Sequence, residues 1–426
     1  MLSKLVNERV TRTGPGTPMG EAFRRYWMPA MLSEELPSPD CPPVRVGLLS
    51  EKLVAFRDSD GQIGLVAENC PHRGASLFFG RNEESGLRCV YHGWKFNAAG
   101  ACVDMPNEPP ESNFKHKVKV AAYPTVERGG VVWTYMGPAD KRPPDPDYEW
   151  ARLPAGRTFC SKTYQESNYL QSMEGGIDSS HASFLHRMFK TESANSAATF
   201  GPSGYRARST APKLVVLRTD YGFTYASIRN LKDEGKNFVR AYQWILPVQQ
   251  MRAYAGFAGV PSVHGHLWVP IDDETCWVYN WMYHVDGSEM PEAEIYEEEK
   301  FFGRAHDDLI PGTYKPLLNK SNDYLIDRER QRTVNYTGIN GVNTQDMAVQ
   351  EGMGPIYDRT KEHLGTADLA IITARRMLLE AAKDVEEGRD PIGTGNSGYS
   401  VRAAEMVMPE GENWHDAMKG ELIAKL

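Results

Sequence analysis

Between residues 43 and 136 the apolar positions fall into short runs, VRVGLL, LVAF, GLVA and VVWTY, separated by Gly, Pro and Asp-Gly. Runs of this length bounded by turn residues predict strands at 44–49, 53–56, 64–67 and 131–135, and together a small all-β unit. The stretch GPADKRPPDPDYEWARLPAG, with five prolines, breaks the pattern and reads as a linker. Beyond it the periodicity changes. Residues 164–187 have helical composition, and 214–228, 237–246 and 276–285 read as long aromatic strands. Residues 367–388 place Ile371, Ala374, Leu378, Ala382 and Val385 on one helical stripe, with Thr366 as N-cap and Gly388 just past the end. The second part is therefore expected to be α+β, an antiparallel sheet with a long C-terminal helix. The acidic segment EMPEAEIYEEEK (289–300) predicts a solvated helix face.

A chain of 426 residues with 41% apolar content can bury a sizeable core and has room for two or three domains. The division expected here is 1–145, with an all-β core at about 40–137, and 146–426. Lys and Arg total 48 against 56 for Asp and Glu, a net charge of −8 with no dominant basic block, which argues against binding nucleic acid by phosphate neutralisation. No apolar run approaches the ~20 residues of a membrane span, and the opening MLSKLVNERVTRTGPG lacks the apolar core of a signal peptide. A soluble, cytoplasmic protein without a membrane partner is the expectation. Six scattered cysteines do not make a disulfide framework, so paired spacings point to metal ligation.

Such a spacing is present. Cys70-Pro-His72 is followed, sixteen residues on, by Cys89-Val-Tyr-His92. Two facing loops would each present one thiolate and one imidazole. Two centres fit those donors: a structural zinc, or a [2Fe–2S] cluster in which two histidines replace two cysteines on one iron. Zinc fingers usually pair like with like, whereas here each loop carries one of each.

A second constellation lies in EGGIDSSHASFLH, where His181 and His186 stand five apart. On a regular helix they would point about 140° from each other, so binding one metal requires the helix to break or to carry a wider turn. Two imidazoles and one carboxylate with open positions left over form the site that suits iron(II) and dioxygen. His264 and His266 could share a strand face, but core or surface placement is the simpler reading.

The flanks CPHRGA and CVYHGWKF resemble the Rieske motif of ring-hydroxylating oxygenases, and EGGIDSSHASFLH resembles the iron-binding motif of the same enzymes. GTPMGEAFRRYWMPA, FFGRNEESGLRCVYHGWKF and MGPIYDRTKEHLGTADLAI extend the likeness, which is closest to the phthalate dioxygenase type, over essentially the whole chain. The resemblance implies a Rieske [2Fe–2S] domain holding its cluster through Cys70, His72, Cys89 and His92, followed by a helix-grip, START-like catalytic domain. It implies a mononuclear Fe(II) on His181, His186 and Asp346, with Glu351 as runner-up for the carboxylate. Asp178 is implied as a catalytic bridge between His181 and His92 of a neighbouring subunit, in a homotrimer or stacked hexamer.

Electrons are implied to come from NAD(P)H through a separate flavin and iron–sulfur reductase. The one nucleotide-like motif, Gly393-Thr-Gly395-Asn-Ser-Gly398, follows a helix and Pro391 rather than a strand and does not read as a dinucleotide site. The implied reaction is cis-dihydroxylation of an aromatic carboxylate with O2, the substrate held by Arg240 and by Arg208 or its neighbour Arg206. Phe238, Arg240, Tyr242 and Trp244 share one face of a strand, setting a guanidinium among aromatics; Ser179 and Ser180 are weaker contacts. The rival reactions are monooxygenation, as O-demethylation or diaryl-ether cleavage, and, in a different class, simple electron carriage.

Overall fold

The computed structural model describes residues 1–190, 199–201, 204–232, 234–254 and 259–426. Val44–Leu48, Glu51–Arg57 and Ile63–Ala67 form an antiparallel meander, extended by Ala122–Tyr123. A second sheet joins Arg81–Asn82, Leu87–Arg88, Lys95–Phe96 and Cys102–Asp104. These strands are two or three residues long, too short to show alternation, and the hydrophobic pattern did not predict them. Val54, Phe56, Val66, Leu77, Leu87 and Phe96 bury a small core of their own between the two sheets, and Cys70 and Cys89 belong to it. The predicted strand at 131–135 pairs instead with Trp27–Leu32 and Thr125–Arg128.

The larger sheet is antiparallel, in the order Thr158–Gln165, Cys276–His284, Ser262–Pro270, Gln249–Tyr254, Lys236–Ile245, Gly222–Leu231, Lys213–Arg218. Lys236–Ile245 is shared along one edge: its C-terminal end pairs with Gln249–Tyr254, while its first six residues pair with Ala404–Pro409. The helix Leu369–Glu386 packs its apolar stripe against this sheet and against the N-terminal helix Pro18–Phe23. The α+β class with an all-β first part is as expected.

Several local readings change. Residues 214–228 are not one strand but a hairpin, Lys213–Arg218 and Gly222–Leu231, because the Asp220-Tyr221-Gly222 turn closes with Thr219 N–H donating to the Gly222 carbonyl at 3.0 Å. Residues 164–187 hold the end of a strand, a helix at Tyr169–Ile177 and a single 3₁₀ turn at His181–Ser183. The C-terminal helix begins after a 3₁₀ turn at Thr366–Asp368. Its entry is tied by Asp368, whose carboxylate accepts from Gly365 N–H at 2.7 Å, rather than capped by Thr366. Gly388 follows it in the left-handed conformation.

The acidic helix Glu292–Phe302 is only partly solvated: Glu298 and Glu299 are buried, and Glu299 meets Arg304 at 2.6 Å and Ser161 at 2.7 Å. The end of the proline-rich stretch also packs inward. Trp150 stacks on Trp281 with centroids 5.0 Å apart. Glu149 accepts from Arg402, Tyr283 and the backbone N–H groups of Lys425 and Leu426, so its buried carboxylate is fully paired. Among the described residues no helix is long and apolar enough to cross a membrane.

Candidate metal centres

The two Cys/His loops have the same backbone construction. Cys70 N–H donates to the Ala75 carbonyl at 2.8 Å and Gly74 N–H returns to the Cys70 carbonyl; Cys89 N–H donates to the Trp94 carbonyl at 2.8 Å and Gly93 N–H returns to the Cys89 carbonyl. Gly74 and Gly93 both need positive φ, at 77° and 79°, for those turns to close. The thiols are buried at the base of the loops and the imidazoles stand at their tips, His72 and His92 with ring centroids 4.4 Å apart. His72 is stacked on Trp94 at 4.3 Å, and its Nδ1 is buried without a hydrogen-bond partner.

Burial, and then the neighbouring Cys89, push the Cys70 thiol up to about 11. A buried thiol pair beside an orphaned imidazole nitrogen is a donor set that a metal centre completes, because the metal supplies the positive charge that thiolates need. The geometry also bears on which centre. Among the described residues, three donors all within 4.8 Å of one another occur at His181, His186 and Asp346, and not at this set. One zinc ion would need its ligand atoms that close, whereas a cluster with two irons holds the thiolates and imidazoles apart.

The second centre is built at a helix end. Asn168 caps Tyr169–Ile177, its Oδ1 accepting from Leu170 N–H at 3.0 Å. The helix runs close under its neighbours: a methyl at Gly175 would strike the Gln350 amide and one at Gly176 the Trp268 ring. Asp178 leaves the helix in extended conformation, and its carboxylate then caps the next turn, accepting from Ser180 N–H at 2.7 Å and His181 N–H at 3.1 Å. This break is what brings two histidines five apart onto one point. His181 Nε2 and His186 Nε2 lie 3.1 Å apart, and Asp346 Oδ1, from the helix Val342–Gly352, is 3.5 Å and 3.3 Å from them.

The tautomers follow from the outer partners. His181 Nδ1 donates to Asp178 Oδ2 at 3.2 Å and His186 Nδ1 donates to Gln345 Oε1 at 2.8 Å, leaving both Nε2 lone pairs and a carboxylate oxygen facing each other. With both imidazoles neutral these three acceptors converge without a donor, an arrangement that a cation relieves, whether a metal ion or a proton on His181. Ligand bonds of about 2.1 Å at right angles place neighbouring donors roughly 3 Å apart, close to what is seen. Burial lowers the His181 pKa, but the hydrogen bond and charge of Asp178, with Asp346, outweigh it and raise the imidazole to about 9. Burial likewise opposes the Asp346 charge, and the two imidazoles hold that carboxyl below its usual range.

Glu351 is not part of this group. Five residues beyond Asp346 on the same helix it faces another way, held by Tyr324 and by Glu166 N–H at 2.9 Å.

A cavity opens over the three ligands, lined by Ser179, Phe200, Tyr242, Tyr254, Trp268 and Phe302 among others. Arg240 reaches it, fully buried. Its Nε and Nη2 are taken by Glu405 across the strand pair, at 2.5 Å for Nε, and its Nη1 is left without a partner. Tyr242 also faces the cavity, but Phe238 stacks on Tyr205 and Trp244 packs in the core beside Phe223.

Arg208 does not line the cavity. It pairs with Glu234 at 2.6 Å, while Arg206, two positions back on the same short helix and so on its opposite side, does line it. His264 is buried beside Ser262, and His266 accepts from Arg252 and donates to Asn280 at 2.8 Å, so neither is a ligand to this metal site. Ser180 is half-buried with its hydroxyl covered, and it is not part of the cavity wall.

Arg252 and Gln345 were not singled out in the sequence. Both owe their place to pairing that only the fold reveals: Arg252 to the alignment of Gln249–Tyr254 with Ser262–Pro270, and Gln345 to its position one residue before Asp346 on a buried helix turn.

Known proteins are similar to this chain in sequence and in fold. The Rieske [2Fe-2S] domain matches residues 26–124 and the LigXa C-terminal domain like family matches residues 134–423. The phthalate 4,5-dioxygenase oxygenase subunit of Pseudomonas putida is 38% identical over 98% of this chain and 94% of its own length. The 3-chlorobenzoate-3,4-dioxygenase oxygenase subunit of Comamonas testosteroni is 39% identical over 96% of both. Among solved structures, dicamba monooxygenase bound to dicamba shares the fold with a TM-score of 0.60 at 18% identity, over 86% of this chain and 99% of its own. With its two donor sets, its all-β and α+β parts and these full-length relatives, the chain belongs to the Rieske non-heme iron oxygenases, as an oxygenase component of the phthalate dioxygenase type.

Proposed function

We propose that this oxygenase cis-dihydroxylates an aromatic carboxylate, taking electrons from a separate NAD(P)H-dependent reductase and working as a homotrimer or a stacked pair of trimers. The observation that carries the reading is the charge of the cavity above His181, His186 and Asp346. Arg206 and Arg252 line it, and among the described residues neither has a carboxylate within ion-pair distance; Arg240 adds the unpartnered Nη1. Arg252 is held by donation to His266 and lies over the Phe302 ring at 5.5 Å. Burial, and then the nearby Arg304 and Arg240, lower its pKa to about 10, so it still carries its charge at neutral pH. A desolvated guanidinium without a counter-ion is costly, and an anionic ligand relieves it.

When bound, the iron supplies dioxygen activation and the cluster supplies electrons one at a time. The chain does the rest. Asp178 and Gln345 orient the two imidazoles, the arginines place the carboxylate so that the ring lies over the three ligands, and Phe200, Tyr254, Trp268 and Phe302 keep water away from the reacting face. Asp178 stands at the cavity edge with exposed Phe184 close by in the chain, and on the other part exposed Val90 and Tyr91 precede His92. These two faces are the ones a neighbouring subunit would bring together for electron transfer.

Isotopic labelling tests the reaction class. With 18O2 and phthalate, isophthalate, terephthalate or phenoxybenzoate, both labels are expected in a ring diol; one label, or formaldehyde from a methoxyarene, would instead make it a monooxygenase. The carboxylate reading has a separate check. Arg252→Gln is expected to raise the dissociation constant of a carboxylated arene about tenfold or more, the ~1.5–3 kcal/mol of a charge-assisted contact, and that of its uncharged amide little. Equal losses for both ligands would remove Arg252 as an anchor.

A further inference from the structure

The two imidazoles of the iron site are oriented by unlike partners, and the partner of His186 is an amide. Gln345 is buried, and its Nε2 donates to the Ile339 carbonyl at 3.0 Å. A carbonyl only accepts, so the amide is oriented without ambiguity, with Oε1 toward His186 Nδ1 at 2.8 Å. Oε1 in turn only accepts, so the proton of neutral His186 sits on Nδ1 and its Nε2 lone pair faces His181 Nε2 and Asp346 Oδ1.

The loop behind is built to hold that carbonyl. Asn335 Nδ2 also donates to the Ile339 carbonyl at 3.0 Å, and Asn335 Oδ1 accepts from Gly338 N–H at 2.6 Å, closing the turn. No carboxylate is part of this chain of donors, in contrast to Asp178 behind His181.

We propose that Gln345 is a positioning residue for the mononuclear metal: through the Asn335–Ile339 turn it fixes the tautomer and ring angle of His186, and so sets the metal affinity of the site. Outer partners of ligating histidines are typically worth about 10- to 100-fold in metal affinity. The inference concerns the metal site alone and is independent of which substrate enters the cavity.

Metal binding itself is the readout. The mononuclear metal is stripped from the full-length protein with a chelator, the Rieske absorption confirming that the cluster remains, and the site is titrated with Co(II) or Fe(II). Gln345→Met keeps the volume and loses the strong acceptor; its dissociation constant is expected to rise 10-fold or more, with the visible spectrum of bound Co(II) altered. Gln345→Glu keeps an acceptor for Nδ1, and protonation of its second, buried oxygen restores a donor toward the Ile339 carbonyl; it is expected to bind within about threefold of the parent. Thr344→Val, buried on the same helix turn but touching neither imidazole, reports any general loosening and is expected to change nothing.

Unchanged affinity in Gln345→Met overturns the proposal. So does an equal loss in Gln345→Met and Gln345→Glu, which would make the residue a packing element. Should Gln345→Met fail to fold, the Gln345→Glu titration still decides: tight binding supports the acceptor role and a loss of tenfold or more refutes it.

Discussion

Alanine at position 181 is expected to empty the mononuclear site and leave the Rieske cluster untouched. His181 contributes one of three converging donors, and His186 and Asp346 alone cannot retain a divalent ion against water and buffer. The donors proposed for the cluster, Cys70, His72, Cys89 and His92, lie in loops stabilised by a separate small core, so the cluster's absorption and paramagnetic signal should persist. Iron analysis of His181→Ala should therefore fall from three irons per chain to two, and substrate-dependent oxygen uptake by on the order of 10³-fold or more, since the ion supplies the activation of dioxygen. The alternative of a simple electron carrier makes the opposite demand. Full iron content together with an undiminished ability to pass electrons to a partner oxygenase would restore it.

What the sequence shows and what it hides divides along physical lines. The paired Cys/His donors are legible because each loop carries its own pair and the glycine that closes its turn, so the chemistry is local. The His181/His186 pair is legible for the same reason, and the need for a broken helix follows from counting residues per turn; Asp178 makes the break by capping the turn it begins. Asp346 is a different matter. It lies far along the chain, and only the resemblance to a known family selected it from 56 acidic residues.

Side chains that depend on cross-strand or helix-face neighbours were the ones misplaced. Arg208 is the candidate in the sequence, with Arg206 beside it, and one short helix turns the first toward Glu234 and the second toward the cavity. Arg240 lies on the strand face toward the cavity, and its ion pair with Glu405 arises from the pairing of Lys236–Ile245 with Ala404–Pro409, which periodicity does not reveal. The hairpin within 214–228 carried its own signal in Asp220-Tyr221-Gly222; the apolar run around it masked the turn.

Asparagine at position 178 is expected to leave the cluster intact, to weaken the mononuclear metal as loss of an imidazole's outer partner does, and, once that site is resupplied with iron to full occupancy, to slow the passage of electrons between the two centres. Asp178 uses one carboxylate for three donors: Ser180 N–H at Oδ1, and His181 N–H and Nδ1–H at Oδ2. An amide has one accepting atom, so Asp178→Asn must either leave the turn uncapped or face the His181 ring with its NH2 group, where two donors would oppose each other. Capping and charge are lost together. Burial already works against the Asp178 charge, and His181 with the two backbone N–H groups is what keeps the carboxyl ionised below its usual range.

If His92 of a neighbouring subunit docks here, the carboxylate is the one group able to accept from both rings at once and hold them in register. The measurement is a single turnover: chemically reduced protein mixed with dioxygen and an aromatic carboxylate, following reoxidation of the cluster by its absorption. A rate several-fold or more below the parent, at iron content restored to the parent's and unchanged cluster spectrum, is the expected result. An equal rate would mean that electrons reach the iron without passing this residue, and the subunit faces around Tyr91 and Phe184 would then have no part in the path.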